Sequence, residues 1–168
     1  ANIQIKELKK INKVFNSSFV KAVDTILNCK GKVVLGGIGK SGLVARKISA
    51  TFSSVGIPSF FCDPAQALHG DMGQIEKKDI LIVFSYSGNT SELNNMLKYA
   101  NRYRIKIIGV ASGLNSILLK ASDIKLILPK VKESDITGLV PTSSTSITLL
   151  LGDCLATTVM SLKRFSKE

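Results

Sequence analysis

The chain has 168 residues, of which 45% are hydrophobic, 6% aromatic and 21% charged. This apolar content excludes an intrinsically disordered chain, and the length suits one domain with its own core. The 23 basic residues outnumber the 12 acidic ones, but they are spread along the chain without aromatic interleaving. We therefore expect no nucleic-acid partner, and instead a basic surface that attracts anionic small molecules.

The cysteines and the apolar segments indicate a cytoplasmic setting. Cys29, Cys62 and Cys154 are an odd number without CxxC spacing, which argues against a disulfide framework and for a reducing compartment. The first residues are polar, so we expect no signal peptide. Residues 147–162 are apolar but contain Asp153 and several threonines. They are too short and too polar for a membrane span, and we predict a buried helix there.

Helical and extended patterns alternate along the chain. Apolar residues at spacings of three and four predict an amphipathic helix over residues 3–28. The predicted elements that follow are a strand at 32–37, a helix at 41–55, a strand at 58–62, a long loop at 63–78, a strand at 79–84, a helix ending near 104, a strand at 106–110, a helix at 115–121, a strand at 124–128, a loop at 130–141 and a helix at 142–164.

Strands separated by helices predict an α/β fold. We expect a three-layer α/β/α sandwich with a five-stranded parallel sheet in the flavodoxin-like order 2-1-3-4-5, in one domain over residues 1–168. The helix within residues 1–28 would pack on that domain. In this order the sheet reverses direction between the first and third strands. The loops after those two strands would then meet at the switch point where such folds bind ligands.

The loop after the first strand is a glycine turn that opens a helix. Residues 37–42 read Gly-Ile-Gly-Lys-Ser-Gly. Glycines let backbone N–H groups approach an anion, the helix start is positive and Lys40 adds a full charge, so the loop predicts a phosphate site. The loop also matches the dinucleotide pattern G-x-G-x-x-G, with Asp63 after the second strand, although Lys40 is unusual there. A P-loop is set aside because Val34 occupies the position of its first glycine.

The loop after the third strand is rich in hydroxyl groups. It contains Ser85, Ser87 and Thr90 together with the flexible Gly88. Hydroxyls and backbone donors at a helix start suit a terminal phosphate monoester. An ordinary helix cap with Glu92 as its capping-box partner would explain one or two of these residues but not the cluster. One phosphate on a small metabolite fits two short loops better than a dinucleotide does.

Four side chains near this edge of the sheet are candidates for acid–base chemistry. Lys40 and Glu92 lie in the two loops, and Glu133 follows the fifth strand at the same edge. His69 is the chain's one histidine and lies in a flexible segment beside a glycine and an aspartate. Histidine titrates near neutrality, so a catalytic or ligand-contacting role is favoured over a place in the core.

With these residues assembled, the chain resembles the SIS (sugar isomerase) family of phosphosugar isomerases and phosphosugar-binding regulators, and within it the arabinose-5-phosphate isomerase branch. The resembling segments are residues 37–42, 50–52, 58–61, 67–73, 85–88 with 91–92, and 138–145. Together they extend across nearly the whole chain from about residue 31, and they are far more specific than one glycine pattern.

The resemblance implies an aldose–ketose isomerase. Its reaction would interconvert D-ribulose 5-phosphate and D-arabinose 5-phosphate, the precursor of the Kdo sugar of Gram-negative lipopolysaccharide, through an enediol and without a cofactor. Such a reaction needs a base, an electrophile at the carbonyl oxygen and an acid. We expect Glu92 as the base and Lys40 as the electrostatic stabiliser. His69 would donate a proton or orient the substrate, and Glu133 would be a supporting acid or base; which carboxylate takes the C–H proton stays open.

The resemblance also implies a substrate site and an assembly. The residues expected to contact the substrate or its phosphate are Gly39, Ser41, Gly56, Ile57, His69, Ser85, Ser87, Gly88, Thr90, Thr142 and Ser143. Asp63 stands where close relatives often have a histidine associated with inhibitory metal, so we expect no metal site. Sites in the family form between subunits, so a homotetramer is expected, with the last helix as a candidate interface.

Two alternatives to this isomerase stay open. Many family members continue into a His-Pro-Gly-Gly segment with a further catalytic histidine and then a pair of CBS domains, and this sequence contains neither. A non-catalytic phosphosugar-binding module is therefore an alternative, and such a module would tolerate the loss of Lys40 and Glu92. Another SIS isomerase, acting on a hexulose 6-phosphate, is the second alternative.

Overall fold

Five parallel strands form one sheet in the order β2-β1-β3-β4-β5, which confirms the predicted topology. The computed structural model describes residues 1–163. The strands are β1 (Val33–Gly37), β2 (Ser59–Phe61), β3 (Ile80–Phe84), β4 (Lys106–Ala111) and β5 (Ile124–Ile127). The helices are α1 (Asn2–Leu8), α2 (Ser17–Leu27), α3 (Gly39–Ser54), α4 (Leu93–Arg102), α5 (Ile117–Ala121) and α6 (Ser143–Leu162).

Helices cover both faces of the sheet, as predicted for a three-layer sandwich. All five residues of β1 and of β3 are buried, as expected for central strands whose two faces are both covered. On one face, residues of α2, α3 and α6 pack in a single apolar cluster with alternate strand residues. On the other face, α4 and α5 pack over the remaining strand residues in a second cluster. The core therefore lies in two layers, one on each face of the sheet.

The register of the central strands brings their following loops together. Gly37, the last residue of β1, pairs with Phe84, the last residue of β3. The chain therefore leaves both strands at the same level of the sheet. The glycine turn after β1 and the hydroxyl loop after β3 start side by side, as the predicted strand order requires.

The N-terminal segment differs from the prediction. In place of one helix over residues 3–28, α1 runs into a 3-10 helix at Lys9–Val14, and α2 begins only at Ser17. Asn16 has extended backbone angles and its side chain accepts a hydrogen bond from the Ser18 N–H at 2.9 Å. This side-chain cap starts a new helix at Ser17. The prediction of one continuous helix, which rested on the unbroken spacing of apolar residues, was therefore wrong. The long loop at 63–78 likewise contains two short 3-10 helices, Ala67–His69 and Asp71–Gln74.

The last helix is a core helix of this fold. With 20 residues and a mean hydropathy of 1.4, α6 is long and apolar enough to cross a membrane by length and composition, so the expectation that it is too short and too polar was wrong. Ile147, Leu151, Leu155 and Val159 are nevertheless fully buried in the core. Core helices of globular proteins meet the same length and composition, and the predicted buried helix is confirmed.

Two glycines allow α3 to start directly against the end of β1. A Cβ on Gly42 would lie 2.7 Å from the carbonyl oxygen of Gly37, and a Cβ on Gly37 would lie 2.9 Å from the Ser41 backbone. Both obstacles are backbone atoms, which cannot rotate away. The close crossing of strand and helix therefore depends on these two positions.

We expect Gly42→Ala to lower the free energy of unfolding by about 1–3 kcal/mol, because the new methyl group forces the strand and the helix apart. In an unhindered helix interior the same change would stabilise by about 1 kcal/mol. Urea unfolding measures the difference. Gly73→Ala is the matched control, since its Cβ would meet nothing within 4 Å; equal stabilities of the two variants would contradict the close crossing.

Candidate functional site

A cleft of about 360 Å³ lies at the carboxyl ends of β1, β3 and β5. The lining residues are Ile38, Lys40, Ser41, Val44, Ser85, Tyr86, Ser87, Thr90, Glu133, Pro141, Ser144, Thr145 and Thr148. Among the predicted site residues, the structure thus brings together Lys40, Glu133 and four of the hydroxyl residues. The cleft is the meeting point that the strand order predicted.

The first wall of the cleft is the start of α3. Gly39 has a φ of +57°, a left-handed conformation in which it redirects the chain from β1 into the helix. The residue before it, Ile38, is the N-cap and supplies no side-chain acceptor. No side chain therefore caps the first N–H groups of α3, which lie beside Lys40 and Ser41. Such an arrangement attracts anions.

The second wall is the hydroxyl loop, residues 85–90, which is already ordered by its own side chains. The Ser85 hydroxyl accepts a hydrogen bond from the Gly88 N–H at 3.1 Å and lies 2.9 Å from the hydroxyl of Thr90. Gly88 has a φ of +74°, and a Cβ there would lie 2.2 Å from the Ser116 Oγ. Gly88 itself does not line the cleft; it permits the turn that presents the hydroxyls.

The third wall joins Glu133 to the start of α6. One carboxylate oxygen of Glu133 accepts hydrogen bonds from the Thr142 N–H at 2.8 Å, the Thr142 hydroxyl at 2.9 Å and the Ser144 N–H at 3.2 Å. Partial burial acts to raise the pKa of Glu133, but hydrogen bonds from Ser144 and Thr142 outweigh it and hold the pKa below its ordinary value. At neutral pH Glu133 is an anionic cap of α6, which is a poor state for a general acid.

Two predicted catalytic residues lie outside the cleft within this chain. Glu92 is exposed at the start of α4, where hydrogen bonds from its own N–H and from the Ser91 hydroxyl lower its pKa. His69 is exposed at the end of a 3-10 helix in the loop after β2. Neither side chain is among the residues that line the cleft of its own chain.

Five of the predicted contact residues, Gly39, Gly56, Ile57, Thr142 and Ser143, are not among the residues that line the cleft. Gly56 has a φ of +74° after α3, and the buried Ile57 packs in the core, both at the amino-terminal edge of the sheet, away from the cleft. Thr142 is engaged with Glu133, and Ser143 is completely buried. Gly39 faces a neighbouring, more open depression that also includes Arg46 and Asp63.

Four polar residues of the cleft were missed as site residues by sequence reasoning. Tyr86 stands inside the predicted hydroxyl loop, and Ser144, Thr145 and Thr148 lie on the first turns of α6. The hydroxyl residues at the start of the helix after the fifth strand could have been predicted as site residues, because that helix begins at the edge of the sheet where the ligand is expected. Among residues 1–163, no group of three or more His, Cys, Asp or Glu side chains could hold a metal ion.

Comparison with known proteins decides the family. A model of the SIS domain matches residues 26–158. The chain belongs to the SIS domain family. The fold of this SIS domain is also that of the Escherichia coli CFT073 protein c3406, whose structure is in complex with arabinose 5-phosphate. The TM-score is 0.89 at 36% identity, over 96% of this chain and 87% of that one.

Curated relatives of this SIS domain are longer proteins. The uncharacterized protein RP505 of Rickettsia prowazekii is 43% identical over 90% of this chain and 47% of its own length. The probable arabinose 5-phosphate isomerase of Haemophilus influenzae is 38% identical over 98% of this chain and 49% of its own length. This SIS domain therefore spans about half the length of these relatives.

Replacing Glu133 by Gln tests the anionic cap. We expect E133Q to lower the free energy of unfolding by about 1–2 kcal/mol near neutral pH, since the charge at the start of α6 is lost. The pKa of Glu133 is lower in the folded state than in the unfolded state, where it is about 4.3. The ionised carboxylate therefore contributes its full stabilisation above that unfolded-state value, and the contribution is lost as the pH falls through the folded-state pKa.

The difference between wild type and E133Q in urea unfolding should therefore shrink as the pH is lowered from neutral through the folded-state pKa of Glu133. Glu76→Gln is the control, because Glu76 pairs with Lys78 at 3.1 Å with both side chains about half exposed, and we expect a change within about 0.5 kcal/mol. A difference for E133Q that does not depend on pH would contradict the cap.

Proposed function

We propose that this SIS domain is a phosphosugar isomerase that interconverts D-ribulose 5-phosphate and D-arabinose 5-phosphate. The observation that carries the proposal is the cleft itself, in which ordered hydroxyls and an uncapped helix start face Lys40. Relatives named arabinose 5-phosphate isomerase and the arabinose 5-phosphate in the Escherichia coli structure support this substrate class. The product would then supply the Kdo sugar of lipopolysaccharide in the cytoplasm.

The phosphate would lie in the hydroxyl loop. Ser85, Ser87 and Thr90 line the cleft at the end of β3, and the internal hydrogen bonds of the loop hold it in place before a ligand arrives. A preorganised loop loses little conformational entropy on binding, which favours affinity for a small anion. The cleft volume of about 360 Å³ lies within the range of small-ligand sites.

The sugar carbonyl would lie towards Lys40. The enediolate form of the intermediate carries negative charge on oxygen, and an ammonium group in the cleft would stabilise that charge as it develops. Glu133, held as the cap of α6, would fix the wall of the site and orient hydroxyls. The proton between C1 and C2 therefore needs a base from elsewhere, and Glu92 remains the proposed one.

A homotetramer with sites between subunits is part of the same proposal. Glu92 and His69 are exposed and lie outside the cleft of their own chain. In such an assembly they would face the cleft of a neighbouring subunit, with Glu92 as the base and His69 as the proton donor or orienting group. The expected interface at α6 belongs to this assembly as well.

A non-catalytic phosphosugar-binding module is the second candidate function. Two observations favour it: the carboxylate that lines the cleft is engaged as a helix cap, and the proposed base lies outside the cleft of its own chain. Such a module would bind the phosphate and the sugar without moving a proton. Binding without turnover would distinguish it from the isomerase.

Incubation with D-ribulose 5-phosphate, followed by NMR for D-arabinose 5-phosphate, tests the isomerase. We expect conversion, and we expect Lys40→Ala to lower kcat/KM by about 100-fold or more, as for removal of an oxyanion-stabilising group. Lys47→Ala is the matched control, since Lys47 lies on the same helix and pairs with Asp153 at 2.6 Å; its kcat/KM should stay within about twofold of wild type.

Three outcomes would contradict parts of the proposal. Phosphosugar binding without conversion would favour the binding module. Conversion of a hexulose 6-phosphate in preference to ribulose 5-phosphate would overturn the substrate. Equal loss of activity in the two lysine variants would remove Lys40 from its proposed role.

A further inference from the structure

The segment that carries Glu133 to the cleft is held by side chains from two other parts of the chain. Residues 129–133 follow β5 without helix or strand of their own. From one side, the Tyr86 hydroxyl donates a hydrogen bond to the Pro129 carbonyl at 3.2 Å and accepts one from the Val131 N–H at 2.8 Å. Because Tyr86 belongs to the hydroxyl loop, two walls of the cleft are tied together.

From the other side the segment is held by α1. Glu7 is 6% exposed and accepts a hydrogen bond from the Lys132 N–H at 2.9 Å. The same carboxylate oxygen pairs with Lys10 at 2.5 Å, and the Lys10 ammonium donates to the Lys130 carbonyl at 3.2 Å. Glu7 and Lys10 both lie outside the region 26–158 that the SIS domain model covers.

We propose that Glu7 and Tyr86 are positioning residues that fix residues 129–132 and thereby place the Glu133 carboxylate at the wall of the cleft. Lys132, whose N–H Glu7 binds, directly precedes Glu133. A displacement of the segment would pull Glu133 away from the N–H groups of Thr142 and Ser144. The start of α6 would lose its anionic cap, and the hydroxyl wall formed by Ser144 and Thr145 would move with it.

This inference deepens the proposed function and rests on it, because the wall positioned by Glu7 carries the Ser144 and Thr145 hydroxyls, which would contact the sugar part of the proposed substrate. The phosphate would be bound at a different wall, by the hydroxyl loop. Loss of Glu7 should therefore weaken binding of a phosphosugar more than binding of phosphate alone. A residue that serves only overall stability would weaken both equally.

Binding measurements on four variants of the whole chain test the proposal: Glu7→Ala, Glu7→Gln, Tyr86→Phe and Asp123→Ala. The last is the matched control, since Asp123 also accepts a backbone N–H bond, from Ile107 at 2.8 Å, and pairs with Lys106 at 3.5 Å. Asp123 directly precedes β5 and lies beside the start of β4, at the amino-terminal edge of the sheet and away from the cleft. Calorimetry with D-arabinose 5-phosphate and with inorganic phosphate gives the two affinities, and carboxyl ¹³C NMR gives the pKa of Glu133.

We expect Glu7→Ala and Tyr86→Phe to weaken arabinose 5-phosphate binding by about fivefold or more. This is the effect of losing one hydrogen bond between the sugar and the displaced wall of the cleft. In Glu7→Ala, a change outside the cleft, phosphate affinity should stay within about twofold. In both variants the pKa of Glu133 should rise towards its ordinary value. Glu7→Gln keeps an acceptor for the Lys132 N–H and should recover part of the loss. Asp123→Ala should change neither affinity.

Equal losses of both affinities in Glu7→Ala, or an unchanged pKa of Glu133 in Glu7→Ala and Tyr86→Phe, would overturn the proposal. The measurements distinguish failure of the proposed function from failure of the positioning role of Glu7 and Tyr86. Absence of binding of either ligand by the wild-type chain would contradict the proposed function. The pKa of Glu133 in the variants would still decide whether Glu7 and Tyr86 hold the segment.

Discussion

The parallel pairing of β1 with β3 is the constraint on which the cleft depends. Gly37 and Phe84 end the two strands opposite each other, so the glycine turn and the hydroxyl loop begin at one level of the sheet. The sheet and its two apolar layers already fix the ends of the strands, so the two loops are held close together by the fold itself. The absence of a Cβ at Gly37 and Gly42 lets α3 start directly against the end of β1.

Glu133 is held at the wall of the cleft as the cap of α6. Three hydrogen bonds from the start of α6 end on one of its oxygens. They favour the ionised form over the protonated one, so proton transfer to Glu133 is costly at neutral pH. Its value to the cleft is geometric and electrostatic: it stabilises the positive end of α6 and holds the hydroxyl wall in place.

Sequence patterns were sufficient for the architecture and for the parts of the site that follow directly from it. Buried β-branched runs predicted the strands, and the strand order brought Lys40 and Ser85 to one edge. The break at Asn16 was missed because a side-chain cap overrides an apolar spacing that continues through it. Glu92 and His69 could not be located relative to the cleft, because local patterns carry no information on how loop surfaces face each other. The link from Glu7 to Lys132 joins residues 125 positions apart and has no signature in the sequence.

An NMR titration with D-arabinose 5-phosphate, followed through backbone amide shifts, tests most directly the claim that these three walls form a phosphosugar site. The geometry predicts the largest shifts at Ser85–Thr90 and around Lys40, with a second group at Ser144 and Thr145. Inorganic phosphate should reproduce the first group without the second. Shifts confined to the neighbouring depression around Arg46 and Asp63, or no saturable shifts, would contradict a phosphosugar site in this cleft.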